Sequence, residues 1–269
     1  MHKSSLSEQK GVDRMIQTSP DFVQSFARGL SVIRSFSADS PSQSLSEVAT
    51  ATGLSRATAR RFLHTLVDLG YAVTNGTQFQ LTPRVLELGT SYLSALTLPA
   101  IAQPRLEALS REVGESSSMS VLDGTDIIYV SRVPVRRIMT VSITLGTRFP
   151  AYATSMGRVL LAGLDPEEME SILTRTPPVQ LTARALSPEM IRDEIEATRQ
   201  RGWSLVDQEL EPGLRSLAAP VTNAHGEVVA AINISTQSAS NSVEDVRREF
   251  LPHLLDTARA ISADLAATI

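Results

Sequence analysis

The stretch LSEVATATGLSRATARRFLHTLVDLGYAV, residues 45–73, decides how this chain is read. Leu45, Val48 and Ala49 recur at helical spacing, and Ser44 or Ser46 can cap the short helix they define, which runs to Ala51. Gly53 breaks that helix. Ser55 then caps a longer one running to Leu69, with Ala59, Phe62, Leu63, Leu66 and Leu69 on a single apolar stripe. Arg56, Arg60, Arg61 and His64 point elsewhere. Between Gln43 and Leu81 these three arginines are the only Lys or Arg residues, and Glu47 and Asp68 the only carboxylates, so the exposed face of the longer helix is locally positive.

Upstream, Phe26, Leu30, Ile33 and Phe36 predict another short amphipathic helix, ended by the turn-rich SADSPSQS at 37–44. Downstream, Tyr71–Val73 and Phe79–Leu81 flank Asn75-Gly76, which predicts a hairpin with a type I′ turn, the type that needs positive φ at both central residues. Short helices, a glycine turn, a capped helix and a hairpin are, in that order, the parts of a winged helix-turn-helix. The implied partner is double-stranded operator DNA. The helix would enter the major groove with Arg56, Arg60 and Arg61 available to guanine or phosphate, Ser55 and Thr58 to phosphate or base, and the helix start at Ser46 to a phosphate. The rival reading is a plain helical subdomain with solvated arginines. The ordered set of elements, more than the arginines themselves, favours DNA.

The chain has 269 residues, 42% hydrophobic and 20% charged, enough for two folded domains. Its net charge of −4 neither supports nor excludes nucleic-acid binding, because what matters is charge on one face. It has no cysteine, which excludes disulfides, zinc fingers and thiol chemistry and suits a reducing cytoplasm. Residues 1–20 read as a polar, flexible tail with no secretory signal, and no apolar run is long enough for a membrane span. The expectation is a soluble cytoplasmic protein. Residues 21–82 form the winged head. Pro83 opens a connector helix over 83–99, from Arg84 to about Leu98, ended by Pro99.

Residues 100–269 read as a second, α+β domain with a mainly antiparallel sheet. Strands are expected at 116–122, 127–132, 138–143, 203–206, 216–221 and 228–235. Helices are expected around 104–113 and at 155–162, 166–173, 188–201 and 243–266. At Ala153-Thr154-Ser155-Met156-Gly157 an extended stretch becomes a helix, leaving backbone amides that attract an anion; the alternative is that Thr154 or Ser155 merely caps the helix. Asn233, framed by Ala230, Ala231, Ile232 and Ile234, is a buried polar group that needs a partner, which a ligand, a water or the core itself can supply. Of Arg132, Arg136, Arg137 and Arg148, one or two at most are candidate carboxylate ligands through the guanidinium fork, with Arg132 ranked first; Arg136-Arg137 beside Pro134 read better as a solvated turn or interface contact, and Arg148 equally well as structural.

An enzyme would need a site that no motif reveals. The chain has no phosphate loop, dinucleotide fingerprint, nucleophile elbow or metal-spaced histidines, and no cofactor motif. A DNA-binding protein without an effector is the other rival, and it leaves the second domain without a role.

The chain from Phe22 onward resembles the IclR family of bacterial transcriptional regulators. The resemblance rests on the stretch quoted at the outset, on LTPRVLELG at 81–89, on GTRFPAYATSMGRVLLA at 146–162 and on RGWSLVDQELEPGLRSLAAPV at 201–221. Residues 131–162 look most like the subgroup that controls the β-ketoadipate pathway. The resemblance implies a GAF-like effector domain and a homodimer formed through the heads and connector, often paired again as a dimer of dimers. It also implies operator binding that responds to a small carboxylic acid such as protocatechuate, 4-hydroxybenzoate or β-ketoadipate. Matched by motif, the effector pocket would comprise the 154–157 loop, Asp207, Glu209, Leu214, Ser216, Asn233 and Ser235.

Overall fold

Ser44 accepts a hydrogen bond from the Glu47 amide, and the Glu47 carboxylate accepts one from the Ser44 amide, a reciprocal capping box that starts the helix Leu45–Thr52. This settles the cap on Ser44 rather than Ser46. Gly53, in the left-handed region at φ +66°, ends the helix, and Ser55 caps Arg56–Asp68 by accepting from the Thr58 amide. The computed structural model describes residues 21–37, 39–88, 97–135 and 143–268. These fall into two compact units divided between 92 and 93. The expected tail, residues 89–96 of the connector and residues 138–142 of the expected strand, with Arg136 and Arg137, lie outside the described residues.

In the first unit, α1 (Gln24–Arg34), α2 (Leu45–Thr52) and α3 (Arg56–Asp68) enclose Val32, Val48, Ala49, Ala59, Leu63 and Leu66. A three-stranded antiparallel sheet closes the unit. In it β3 (Gln78–Leu81) lies between β1 (Ser42–Ser44) and β2 (Ala72–Thr74). The β1 strand is an addition to the expected fold, in a segment read as turn. The turn also differs from expectation. Gly76 has φ +96° but Asn75 does not reach positive φ, so this is not a type I′ turn. Instead the Asn75 side chain accepts from the amides of Thr77 and Gln78 at 3.1 and 2.9 Å, so a side-chain oxygen stabilises a longer loop. Leu69 is 53% exposed rather than on the buried stripe, because the helix ends at Asp68.

In the second unit six strands form one antiparallel sheet in the order β6-β5-β4-β9-β8-β7. They are β4 (Ser116–Asp123), β5 (Asp126–Val133), β6 (Arg148–Pro150), β7 (Ser204–Asp207), β8 (Leu214–Thr222) and β9 (Val228–Gln237). One face carries α4 (Thr97–Val113) and α8 (Leu251–Ala266) over Met119, Leu217, Ile232 and Ile234. The other carries α5 (Ser155–Ala162), α6 (Pro166–Arg175) and α7 (Pro188–Arg201) over Ile127, Tyr129, Ala218 and Ala231.

Pro99 does not end a helix: α4 runs through both Pro99 and Pro104. Burial of Leu98, Ala102, Leu106 and Leu109 along one stripe offsets the hydrogen bond that Pro104 removes. The last helix likewise absorbs Pro252, here through a π-helical segment Val246–Phe250 just before it. β6 is a short edge strand that the sequence reading missed.

Candidate functional site

In the head, Arg56, Arg60 and Arg61 are exposed on α3, and no ion pair ties any of them down among the described residues. Ser55 and Thr58 are partly committed: their hydroxyls are 2.9 Å apart within the helix cap. Ser46 is exposed in the first turn of α2. The result is a positively charged helix face whose own carboxylates do not neutralise it.

In the second unit, register defines the other site. Ser118 pairs across the sheet with Arg132 on β5 and with Asn233 on β9; Ser216 pairs with Ser235. Residues paired directly across strands share a face, and side chains alternate faces along a strand. Arg132, Ser118, Asn233, Ser216 and Ser235 therefore all face α5. Above them Thr154 caps α5, accepting from the Gly157 amide at 2.9 Å. The amides of Ser155 and Met156 have no hydrogen-bond partner among the described residues.

Ser155 does not cap. Its hydroxyl lies 2.7 Å from that of Ser216, and the Asn233 amide donates to Ser216 and Ser235 at 2.9 Å each. Asn233 is 2% exposed, and its carbonyl oxygen has no partner. Thr154, Ser155, Met156, Leu214, Ser216, Asn233 and Ser235 thus line one cavity. Its walls are completed by Tyr129, Ile143, Ala153, Val206 and Leu210. The free volume is about 20 Å³, room for one water.

The other expected positions serve different ends. Gly157 lets α5 approach the preceding turn: a Cβ there would lie 2.0 Å from the Ala151 carbonyl oxygen. Arg148 is held by Asp123 and Asp126 at 2.6 and 3.3 Å, which pins the β4–β5 turn and occupies its fork away from the cavity. Asp207 is engaged by Arg184 and Arg215, and Glu209 by Arg158. The acidic stretch therefore braces the loop after β7, while Leu210 supplies the wall.

Arg132 is half-buried and donates to Ser118 at 3.2 Å, with no carboxylate partner among the described residues. Burial pushes its pKa down, partly opposed by nearby Tyr129. Burial pushes the Tyr129 phenol up to about 12, against the pull of Arg132. Ser118 was missed from the sequence, as was Ser120, whose hydroxyl contacts the Met156 sulfur at 3.3 Å. Their signal is the period-two spacing of Ser116, Ser118 and Ser120.

A winged head with an exposed basic helix, followed by a separate α+β unit, has the layout of a DNA-binding transcriptional regulator. The helix-turn-helix model of the IclR family matches residues 25–76, and the model "Bacterial transcriptional regulator IclR C-terminal" matches 90–263. The chain is 42% identical over 248 residues to the Pca regulon regulatory protein of Pseudomonas putida, covering 91% of this chain and 85% of that one. A transcriptional regulator from Rhodococcus sp. RHA1 superposes with TM-score 0.83 at 56% identity, over 92% of this chain and all (100%) of that one. An IclR homologue of Microbacterium hydrocarbonoxydans, crystallised with 4-hydroxybenzoate, superposes at 0.80 with 25% identity, over 90% of this chain and 99% of that one. The chain belongs to the IclR family and is a DNA-binding transcriptional regulator.

Proposed function

We propose that a small carboxylic acid of aromatic catabolism occupies the cavity between α5 and the sheet, and that its binding changes the affinity of the head for its operator. The observation that carries this reading is the unpartnered amide end of Asn233, because a buried polar group without a partner costs about 1–3 kcal/mol. It lies in a cavity whose wall includes the start of α5, where two free amides and the helix dipole favour an anion. Arg132 supplies positive charge on the same face. The name of the Pseudomonas relative and the ligand of the Microbacterium structure agree with an aromatic acid.

The cavity has room for no more than one water, so the acid must part the walls. Leu210 and Leu214 flank a loop held by Gln208 at φ +61° and Gly213 at φ +83°. A ligand that binds only an opened arrangement shifts the population toward it. The head reads DNA through Arg56, Arg60 and Arg61, with Ser46, Ser55 and Thr58 near phosphate. It acts as a homodimer: Phe26 is 68% exposed, and with Val23, Leu30, Phe62, Leu69 and Leu88 it lines an apolar groove that a second copy would cover. Sedimentation of Phe26→Glu checks this, and an unchanged mass would refute it.

Thermal denaturation with 4-hydroxybenzoate, protocatechuate and β-ketoadipate tests the pocket. At a hundredfold excess over Kd a ligand specific for the folded state adds about 2.7 kcal/mol. No shift with any of the three would sink the reading.

A further inference from the structure

The β4–β5 register slips between Met119 and Ser120, which pair with Ser131 and Tyr129 and leave Val130 without a cross-strand partner. This bulge breaks the alternation of faces along β5. Tyr129 and Arg132, three residues apart, both turn toward α5, Tyr129 as a wall of the cavity and Arg132 onto Ser118. Val130 and Ser131, between them, both turn the other way, toward α4. There the Ser131 hydroxyl, 3% exposed, donates to the Gln103 side-chain oxygen at 2.7 Å.

Gln103 stands immediately before Pro104, whose nitrogen cannot make the helix hydrogen bond to the Ala100 carbonyl. A second hold on α4 lies beyond the proline. Ser117 on β4 donates to the Leu106 carbonyl at 3.0 Å, and its oxygen lies 2.7 Å from that of Ser110. The sheet therefore grips α4 on both sides of its interrupted turn, and only the grip before the proline comes from the bulge. That earlier part of α4, Thr97–Gln103, is the part that the chain joins to the head through residues 89–96.

We infer that Ser131 and Gln103 are positioning residues that pass occupancy of the cavity to α4. A ligand that draws on Tyr129 or Arg132 turns the bulge, and Ser131 then shifts Gln103 about the break at Pro104. Both points lack a backbone hydrogen bond, the bulge in the ladder and the proline in the helix, so displacement costs least there. The inference rests on the proposal that the cavity takes an acid that alters operator affinity. Neither residue lines the cavity, so their contact carries the coupling and not the ligand affinity.

Two quantities test this in full-chain wild type, Ser131→Ala, Gln103→Met and, as a control, Ser110→Ala. One is the affinity for 4-hydroxybenzoate by calorimetry; the other is the ratio of operator Kd with and without saturating acid. The wild-type ratio should differ from one by about 5–150-fold. Ser131→Ala and Gln103→Met should bind the acid within about twofold of wild type, while the ratio falls about fivefold toward one, the factor that one lost hydrogen bond represents. Ser110→Ala removes a buried hydroxyl beyond the proline and should leave the ratio unchanged. Gln103 is half-exposed, so its variant keeps the test decisive if Ser131→Ala misfolds. A wild-type ratio in Gln103→Met, an equal loss in Ser110→Ala, or acid affinity lost along with the ratio would each overturn the inference and leave the pocket in place. A wild type that binds no acid, or binds it without effect on operator affinity, would overturn the proposed function and the inference with it.

Discussion

Arg158 and Glu209 form a two-pronged ion pair almost sealed from solvent, with Nη2–Oε2 at 2.6 Å and Nη1–Oε1 at 3.2 Å. The third donor, Nε, is used on the Tyr152 carbonyl at 2.9 Å, so the guanidinium has a partner on each edge. The pair ties α5 to the loop after β7, the two elements that wall the cavity. Removing one partner strands a buried charge, so Glu209→Ala should cost about 3–5 kcal/mol in urea denaturation. Replacing both, as Arg158→Met with Glu209→Leu, should cost clearly less than Glu209→Ala alone. A Glu209→Ala loss below ~1 kcal/mol would contradict the pairing.

Gly157 should tolerate no side chain. The Ala151 carbonyl stands where a Cβ would go, and backbone atoms cannot step aside cheaply. Gly157→Ala should destabilise the second unit by about 3 kcal/mol, the upper end of what overpacking usually costs. A variant that melts with the wild type would show that the turn and helix are farther apart than the structure has them.

Tyr129 predicts an alkaline limit. Below pH 10 its phenol is protonated folded or unfolded; between 10 and about 12 only the folded protein keeps that proton. The stability this contributes is therefore full below pH 10 and is lost as pH rises through about 12. Ultraviolet titration should show a tyrosine that ionises late, near pH 12, and Tyr129→Phe should abolish that step. Titration curves of wild type and Tyr129→Phe that differ only by a tyrosine ionising near pH 10 would refute the burial.

Much of the head was legible because its signals are local. Ser55, Gly53 and the apolar period of α3 each act within one or two turns, so a linear reading finds them. The Asn75-Gly76 turn was found but its type was not, because the Asn75 side chain competes with the backbone for the same amides. The pocket was legible only in part. Thr154, Ser155 and Asn233 announce themselves as a helix start and a polar residue in an apolar strand. Ser118 gains meaning only when strand register sets it between Arg132 and Asn233, and register is a long-range property. Arg148, Asp207 and Glu209 are chemically apt for a ligand, yet each has a protein partner from a distant part of the chain. Pro99 misled because it stands in the first described turn of α4, where the amide it lacks has no partner within the helix to lose.

On DNA, Arg60→Ala and Arg61→Ala separate two roles for the basic helix face. An arginine on phosphate should weaken all sequences alike and lower the salt slope by about 1. One that reads a base should cost about 1–3 kcal/mol on the operator and relax preference at one position. Unchanged operator affinity in both variants would remove α3 from the interface.

The most direct test of the central claim is operator affinity by fluorescence anisotropy, using DNA from upstream of the protein's own gene. It would be measured with and without saturating 4-hydroxybenzoate at fixed salt. The account predicts a change of about 5–150-fold in Kd, the range of ordinary coupling between two sites, in whichever direction the regulator works. An acid that binds the protein but leaves operator affinity unchanged would contradict it, for the cavity would then be a binding site with no hold on the DNA-reading head.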